Sequence, residues 1–213
     1  MNQIKNLQKL NNLPFFDKNT LSQVVIGKQK AISENIYRWL KNEQLIQLKK
    51  GMYVTSEYIR NLKDLNNYLE YLSNNLRTPS YLSLEYVLQK YNVLTESVFF
   101  YTSISLKKKR IIKNQLGAFS YRQIKKSLFL GYEYKDDKDF SIYEASMSKA
   151  LFDYLYLKFY KFSRVTKKDL ILLRLNLDIL SLKDRDDFSK YTEISDNKIM
   201  KQIYDLLFIK KCC

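Results

Sequence analysis

Apolar residues change their spacing near residue 42, and this change restricts the possible folds more than any other feature of the sequence. Before it, residues 2–42 contain three short segments in which apolar residues recur at helical intervals, beginning with Ile4, Leu7 and Leu10. After it, residues 45–54 are rich in β-formers on both sides of a central polar pair. The pattern therefore predicts three helices followed by two strands.

The polar pair Lys50-Gly51 predicts a tight hairpin, because glycine readily adopts the positive φ that such turns need. The second of the three helices is expected to begin after an N-cap at Asp17 or Asn19. Three helices followed by a two-stranded hairpin is the order of a winged helix-turn-helix. We therefore predict this fold for residues 1–56.

The remainder of the chain predicts an α+β protein in which a helix joins two domains. Leucine and isoleucine near helical spacing predict a linking helix over 57–78, which ends at Pro79 because the residue before proline leaves the helical region. Residues 79–213 are expected to form a mixed α/β domain that ends in helices. Its predicted helices lie at about 82–90, 147–161, 166–180 and 195–209, and its strands at 97–103, on both sides of Leu116-Gly117, at 128–134 and at 140–145.

The chain is strongly basic, with 37 Lys or Arg, 22 Asp or Glu and a formal net charge of +15. The excess is concentrated in two segments. Residues 1–60 contain ten basic and four acidic side chains, and residues 101–130 contain eight basic side chains and no acidic one. Charge clustered in this way favours a polyanionic partner such as nucleic acid.

The sequence has no histidine, which removes the commonest general base and the commonest metal ligand. The two cysteines, Cys212 and Cys213, are adjacent at the end and are expected to be reduced thiols. The acidic groups Asp136-Asp137-Asp139 and Asp184-Asp186-Asp187 are interrupted by basic residues and are expected to be solvated loops rather than cation sites. We therefore expect no cofactor, no metal site and no enzyme, although carboxylate-based Mg²⁺ chemistry stays open.

No stretch of the sequence reaches the roughly 18 consecutive apolar residues that a membrane span needs. The first residues, Met1-Asn2-Gln3-Ile4-Lys5, lack the apolar region of a secretory signal. These features predict a cytoplasmic protein without a membrane partner.

The third predicted helix, at about 29–42, has two unlike faces when its residues are placed at 100° intervals. Its apolar face consists of Ile32, Ile36, Trp39 and Leu40. Its polar face is typical of a recognition helix, because lysine, arginine and tyrosine contact phosphates while serine and glutamate contact base edges.

Candidate DNA-binding residues follow from this helix and from the hairpin behind it. The N-terminal part of a recognition helix usually approaches the bases. We assign base contacts to Lys30, Ser33 and Glu34. Contacts to the DNA backbone are assigned to Lys28, Tyr37, Arg38, Lys41 and the hairpin residues Lys49 and Lys50.

A second basic cluster lies within the segment 101–130. It consists of Lys107, Lys108, Lys109, Arg110, Lys113, Arg122, Lys125 and Lys126. Two interpretations are open. The cluster is either a second nucleic-acid surface or an exposed strand edge that lysines protect against aggregation.

Several segments, taken in order, resemble the AbiEi-type antitoxins, which are transcriptional regulators of type IV toxin–antitoxin systems. The segments are SENIYRWLK at 33–41, LIQLKKGMYV at 45–54, SYLSLEYVL at 80–88, Lys109-Arg110, LGAF at 116–119, LGY at 130–132 and YEASMSKALFDYLY at 143–156. The sequence departs from the family at Asn42-Glu43-Gln44, where a glycine is common, so an easy left-handed helix end is lost.

The resemblance implies a winged helix that binds repeats in the promoter of its own operon and represses it. It also implies a C-terminal domain that counters a nucleotidyltransferase-type toxin, with or without direct contact. The helix at 147–161 is expected to be structural, with Lys149 and Asp153 paired on its surface. Two alternatives to this function are a carboxylate- and Mg²⁺-dependent nucleic-acid enzyme and a protein–protein interaction module without DNA binding.

Overall fold

The computed structural model describes residues 4–25, 28–136 and 139–209 and is an α+β structure, as predicted. Its helices are α1 (Ile4–Gln8), α2 (Lys18–Val24), α3 (Gln29–Lys41), α4 (Ser56–Arg60), α5 (Leu65–Leu76), α6 (Leu84–Lys90), α7 (Met147–Phe159), α8 (Lys167–Ile171), α9 (Leu182–Ser195) and α10 (Lys198–Phe208). Its strands are β1 (Phe16–Asp17), β2 (Leu45–Lys49), β3 (Met52–Thr55), β4 (Ser80–Leu82), β5 (Tyr101–Ser105), β6 (Arg110–Asn114), β7 (Gly117–Gln123), β8 (Tyr132–Asp136) and β9 (Ser141–Ala145).

The chain divides into two compact units. Unit 1 contains Met1–Leu69 and Ile112–Ala118, and unit 2 contains Glu70–Ile111 and Phe119–Cys213. The sequence predicted a linking helix at 57–78 between the two domains. The boundary between the two compact units instead falls inside α5.

Unit 1 contains a small sheet with the strand order β1-β3-β2, in which both pairs are antiparallel. Asp17 caps α2, since its carboxylate accepts a hydrogen bond of 2.8 Å from the Thr20 backbone N–H. The predicted N-cap at Asp17 is therefore confirmed. The core of this unit is formed by buried apolar side chains of its helices and strands: Leu7, Leu10, Phe16, Leu21, Val25, Ile32, Ile36, Trp39, Leu45 and Tyr53.

The predicted hairpin at Lys50-Gly51 is confirmed. Gly51 has a φ of +79°, and β2 and β3 pair on either side of it. At the end of α3, Glu43 has a φ of +54°. The helix therefore ends in the left-handed conformation without the glycine that favours it.

The prediction of one helix over 57–78 is wrong, because α4 and α5 are separated by residues 61–64. Thr55 caps the first helix by accepting from the Tyr58 N–H at 3.1 Å. The Asp64 carboxylate accepts from the Asn67 N–H at 3.0 Å and starts the second helix. Asparagine and aspartate compete with the helical backbone for hydrogen bonds, so they interrupt an otherwise helical apolar pattern.

The larger sheet has the strand order β6-β7-β5-β4-β9-β8. It is mixed, since β4 pairs antiparallel with β5 and parallel with β9, while β5 pairs parallel with β7. The strands predicted on both sides of Leu116-Gly117 are β6 and β7. The strand expected at 97–103 lies at Tyr101–Ser105, and the one expected at 128–134 is a 3₁₀ turn (Lys126–Leu128) followed by β8. The three-residue strand β4 was not predicted.

The C-terminal helices pack around α7 in unit 2 and differ in part from their predicted positions. The helix expected at 166–180 ends at Ile171, and α9 was not predicted at all. Both begin with capping boxes, Thr166 with Asp169 and Ser181 with Asp184. Asp184, Asp186 and Asp187 therefore lie on α9, so their predicted position in a loop is wrong.

Some predictions fall outside the described residues. These are part of the first acidic group, at residues 137–138, and the two terminal cysteines, Cys212 and Cys213. Among the residues that the structure describes, no helix has the length and apolar character needed to cross a membrane.

Candidate nucleic-acid interface

The two faces of α3 are those that the sequence predicts. Ile32, Ile36 and Trp39 are buried in the core of unit 1, and Leu40 packs against them half-buried. These residues fix the helix by apolar burial, which leaves the opposite face without a role in the core. That opposite face is the candidate site.

The predicted DNA-contacting residues of α3 are all exposed. Tyr37 is the largest of them, and 68% of its surface is accessible. The full exposed set is Lys28, Lys30, Ser33, Glu34, Tyr37, Arg38 and Lys41. Lys28 just before the helix and Lys30, Arg38 and Lys41 within it supply four cations, and the other three supply hydroxyl and carboxylate groups.

Lys18 belongs to the same surface, and the sequence prediction missed it. Its Nζ donates to the Ser33 Oγ over 3.0 Å, which joins the start of α2 to α3. Ser33, which we assigned to a base contact, is therefore already hydrogen-bonded in the free protein. A lysine at the first position of the preceding helix was the only sequence signal for this contact.

Asn35 is a polar residue of α3 that the sequence prediction left unassigned, and it is 3% exposed. Its Oδ1 accepts a hydrogen bond of 2.7 Å from the Arg38 Nη2. This bond holds the guanidinium against its own helix. Arg38 therefore presents a positioned cation rather than a freely rotating one.

The hairpin behind α3 contributes Lys49 and Lys50. Lys50 is exposed at the turn and Lys49 is half-buried, with a register irregularity between Gln47 and Lys49. Also within unit 1, the Asn114 Nδ2 donates to the Leu48 carbonyl at 3.0 Å. The hairpin is thus held close to its tip while Lys50 stays accessible.

The second basic cluster is mostly exposed, as both interpretations of it require. Lys107, Lys108 and Lys109 lie between β5 and β6, and the Lys108 carbonyl accepts from Arg77 at 2.6 Å. Arg110 and Lys113 are exposed on β6, Lys125 and Lys126 are exposed after β7, and Arg122 on β7 is half-buried. Because β6 ends the strand order of its sheet, Arg110 and Lys113 lie at a strand edge, as the edge-protection interpretation requires.

The predicted surface pair on α7 is wrong in its location. Lys149 and Asp153 are paired at 2.5 Å, but both side chains have 0% exposure. Tyr81 and Ser83 also donate to the Asp153 carboxylate, at 3.0 and 2.9 Å, and the Lys149 Nζ donates to the Leu128 carbonyl at 2.9 Å. Burial raises the pKa of the Asp153 carboxyl, and the neighbouring Lys149 opposes that shift. The pair is part of the core.

A second charged network in unit 2 is centred on Glu144, whose side chain is fully buried. Lys90 donates to it at 2.7 Å and also to Glu70 at 2.9 Å, while Lys135 donates from β8. Each carboxylate is matched by a cation. The network explains how Glu70 and Glu144 are buried as charged groups, since each accepts from a lysine.

The described residues contain no group of three or more aspartate, glutamate or cysteine side chains arranged to hold a metal ion. Compared with models of known protein families and with curated proteins, the chain matches none of them. The candidate site is therefore defined by its own residues, namely the exposed face of α3, Lys18 and the hairpin residue Lys50.

Proposed function

We propose that unit 1 is a winged helix-turn-helix and that it binds duplex DNA through the exposed face of α3. The order of its elements, α1-β1-α2-α3-β2-β3, supports this proposal, because a helix exposed before a two-stranded wing suits major-groove docking. The single observation that carries it is the contrast across α3, where Trp39 is 2% exposed and Tyr37 is 68% exposed.

The chemistry of the face agrees with contacts to duplex DNA. Lys30, Arg38 and Lys41 supply cations for phosphates or guanine, and Glu34 accepts from cytosine. The hydrogen bond from Lys18 to Ser33 supports a different role for Ser33 from the predicted one. In this proposal Ser33 orients Lys18 toward the DNA backbone, and contacts to the bases come from Lys30 and Glu34.

We further propose, on the strength of the sequence resemblance, that the chain is a transcriptional repressor of its own promoter and an antitoxin, not an enzyme. The charged groups buried in unit 2 support a non-catalytic unit, since Lys149, Asp153 and Glu144 are each satisfied by neighbouring side chains. A nucleotidyltransferase-type toxin is the proposed functional counterpart.

The test measures binding of the full chain to a fluorescent duplex of its own upstream region by anisotropy and gel shift. The double variant Lys30→Ala/Arg38→Ala is expected to weaken binding at least about tenfold, since it removes one proposed base contact and one proposed phosphate contact. Lys5→Ala/Lys9→Ala removes the same charge from exposed positions elsewhere in unit 1 and is the matched control.

Two results would overturn the proposal. Equal loss of binding in both double variants would show that only net charge matters, not the face of α3. Mg²⁺-dependent cleavage of the duplex, abolished by a chelator, would instead show that the protein is an enzyme. Trp39 fluorescence verifies that each variant keeps the fold of unit 1, because Trp39 is the only tryptophan and is buried there.

A further inference from the structure

Unit 2 has a surface groove that the proposed duplex-binding face does not involve. It encloses about 400 Å³ and lies beside α6, the segment 94–100 and strands β5 to β7. A volume of this size falls within the range of small-ligand sites. Its lining combines aromatic, cationic and carboxylate side chains, and that combination is the basis of the inference.

Phe99 forms part of the groove and is 83% exposed, the highest value among the large apolar side chains that the structure describes. Exposing an aromatic ring to water is unfavourable, so a ring held at a groove is a candidate for stacking against a planar ligand. Ile111, 50% exposed, adds apolar surface on β6.

Two cations line the same groove. Lys109 precedes β6, and Arg122 lies on β7 on the same sheet face as Ser120, two residues away. Neither cation takes part in an ion pair or hydrogen bond within the part of the chain that the structure describes. Positive charge without a protein partner, next to an exposed ring, is complementary to a phosphate attached to a base.

Glu85 and Glu96 also line the groove and define which bases suit it. A carboxylate repels phosphate, but it accepts hydrogen bonds from an exocyclic amine such as that of cytosine. The lining therefore offers cations for a phosphate backbone and carboxylates for a base edge.

We propose that this groove binds a single-stranded nucleic-acid segment, with one unpaired base stacked on Phe99 and adjacent phosphates at Lys109 and Arg122. Single strands expose the base faces that a duplex hides, so an exposed aromatic ring selects them over duplex. The neighbouring cations Lys107, Lys108 and Arg110 extend the path for the backbone. The site is independent of α3 and does not rest on the proposed function.

The probe is a fluorescein-labelled oligodeoxycytidine of about 12 nucleotides, a length within the site sizes of single-strand-binding folds. An oligonucleotide of the same length with abasic sugars has the same backbone charge and no base. Fluorescence anisotropy with the full chain is expected to give at least about tenfold tighter binding of oligodeoxycytidine. Equal affinities would overturn the proposal, because binding would then need only the backbone.

Variants at the ring test the stacking contact. Phe99→Ala is expected to weaken oligodeoxycytidine binding about tenfold and to leave the abasic oligonucleotide unaffected, while Phe99→Trp restores tight binding. Phe162→Ala is the matched control, since Phe162 is 51% exposed and lies outside the groove. An unchanged affinity in Phe99→Ala, or an equal loss in the control, would contradict the proposal.

Variants at the cations test the backbone contact and separate this site from α3. Lys109→Ala is expected to weaken both oligonucleotides and to reduce the salt dependence, whereas Lys183→Ala on α9 does neither. Lys30→Ala/Arg38→Ala is expected to leave oligodeoxycytidine binding unchanged. If that double variant abolishes single-strand binding, or if unlabelled duplex displaces the probe as well as unlabelled oligodeoxycytidine does, the groove is not the site.

Discussion

Helices α3 and α7 each contain thirteen residues, and each has a lysine four residues before an acidic residue. In α3 the pair is Lys30 and Glu34, and both are exposed. In α7 the pair is Lys149 and Asp153, and both are fully buried. The same spacing thus serves a solvent-facing surface in unit 1 and the core in unit 2.

The difference follows from what surrounds each helix. Only one side of α3 packs on the core of unit 1, so its other side carries polar groups toward solvent. Nearly the whole circumference of α7 is buried, and its charged pair is satisfied by Tyr81, Ser83 and a carbonyl. A charged pair in the core is costly to desolvate, so it is stable only with such partners.

The largest effect is expected from breaking the buried pair. Lys149→Met leaves Asp153 as an uncompensated buried charge and is expected to lower the free energy of unfolding by about 3–5 kcal/mol. Urea denaturation followed by far-UV circular dichroism measures the loss. The double variant Lys149→Met/Asp153→Leu is expected to recover part of it, and Lys30→Met in α3 should change nothing. Equal stability of the two single variants would remove the distinction between the helices.

A smaller loss is expected from the second buried network. Glu144→Gln weakens the hydrogen bonds from Lys90 and Lys135, and we expect a loss of about 1.5–3 kcal/mol. The effect is smaller than at Lys149 because the two lysine side chains are 39% and 37% exposed, so water replaces part of the contact. Asp187→Asn, which breaks an exposed pair with Lys190, is the control in the same denaturation experiment. A loss as small as in that control would show that Glu144 is solvated.

Among the residues that the structure describes, two glycines have a positive φ, and the same substitution at each compares unit 1 with unit 2. A Cβ at Gly131 would lie 2.5 Å from the Tyr191 hydroxyl, whereas one at Gly51 meets nothing within 4 Å. Both alanine variants are strained, so we expect Gly131→Ala to be less stable than Gly51→Ala by about 1–3 kcal/mol because of the added overlap. Urea denaturation measures both losses of stability. It is followed by circular dichroism for Gly131→Ala and by Trp39 fluorescence for Gly51→Ala. Equal losses would mean that Tyr191 moves aside without cost.

The smallest effect is expected at the cap of α2. The hydrogen bond from the Thr20 backbone holds the pKa of Asp17 below its ordinary value. A lowered pKa means that the stabilisation is present above the pKa of the unfolded chain and is lost as the pH falls through that of the folded chain. The gap in urea midpoint between wild type and Asp17→Ala, followed by Trp39 fluorescence, should therefore narrow between about pH 7 and about pH 2.5. A gap that stays constant would show that the charge of Asp17 contributes nothing.

The sequence predicted α3, its two faces and the hairpin because apolar periodicity and a Lys-Gly turn act locally. It did not predict that Lys149 and Asp153 are buried, since a spacing of four is the same on a surface and in a core. Helix α9 was missed because its sequence is polar, although Ser181 and Asp184 form a capping box that marks its start. The contact of Lys18 with Ser33 depends on tertiary packing, which periodicity does not report.

The central claim is that the exposed face of α3 binds duplex DNA, and the salt dependence of duplex affinity tests it most directly. Affinity is measured by anisotropy for wild type and for Lys30→Ala/Arg38→Ala between about 50 and about 300 mM salt. Because Arg38 is assigned to a phosphate and Lys30 to a base edge, the slope of log affinity against log salt concentration is expected to fall by about 1 in the double variant. An unchanged slope, with affinity equal to that of Lys5→Ala/Lys9→Ala, would contradict the account.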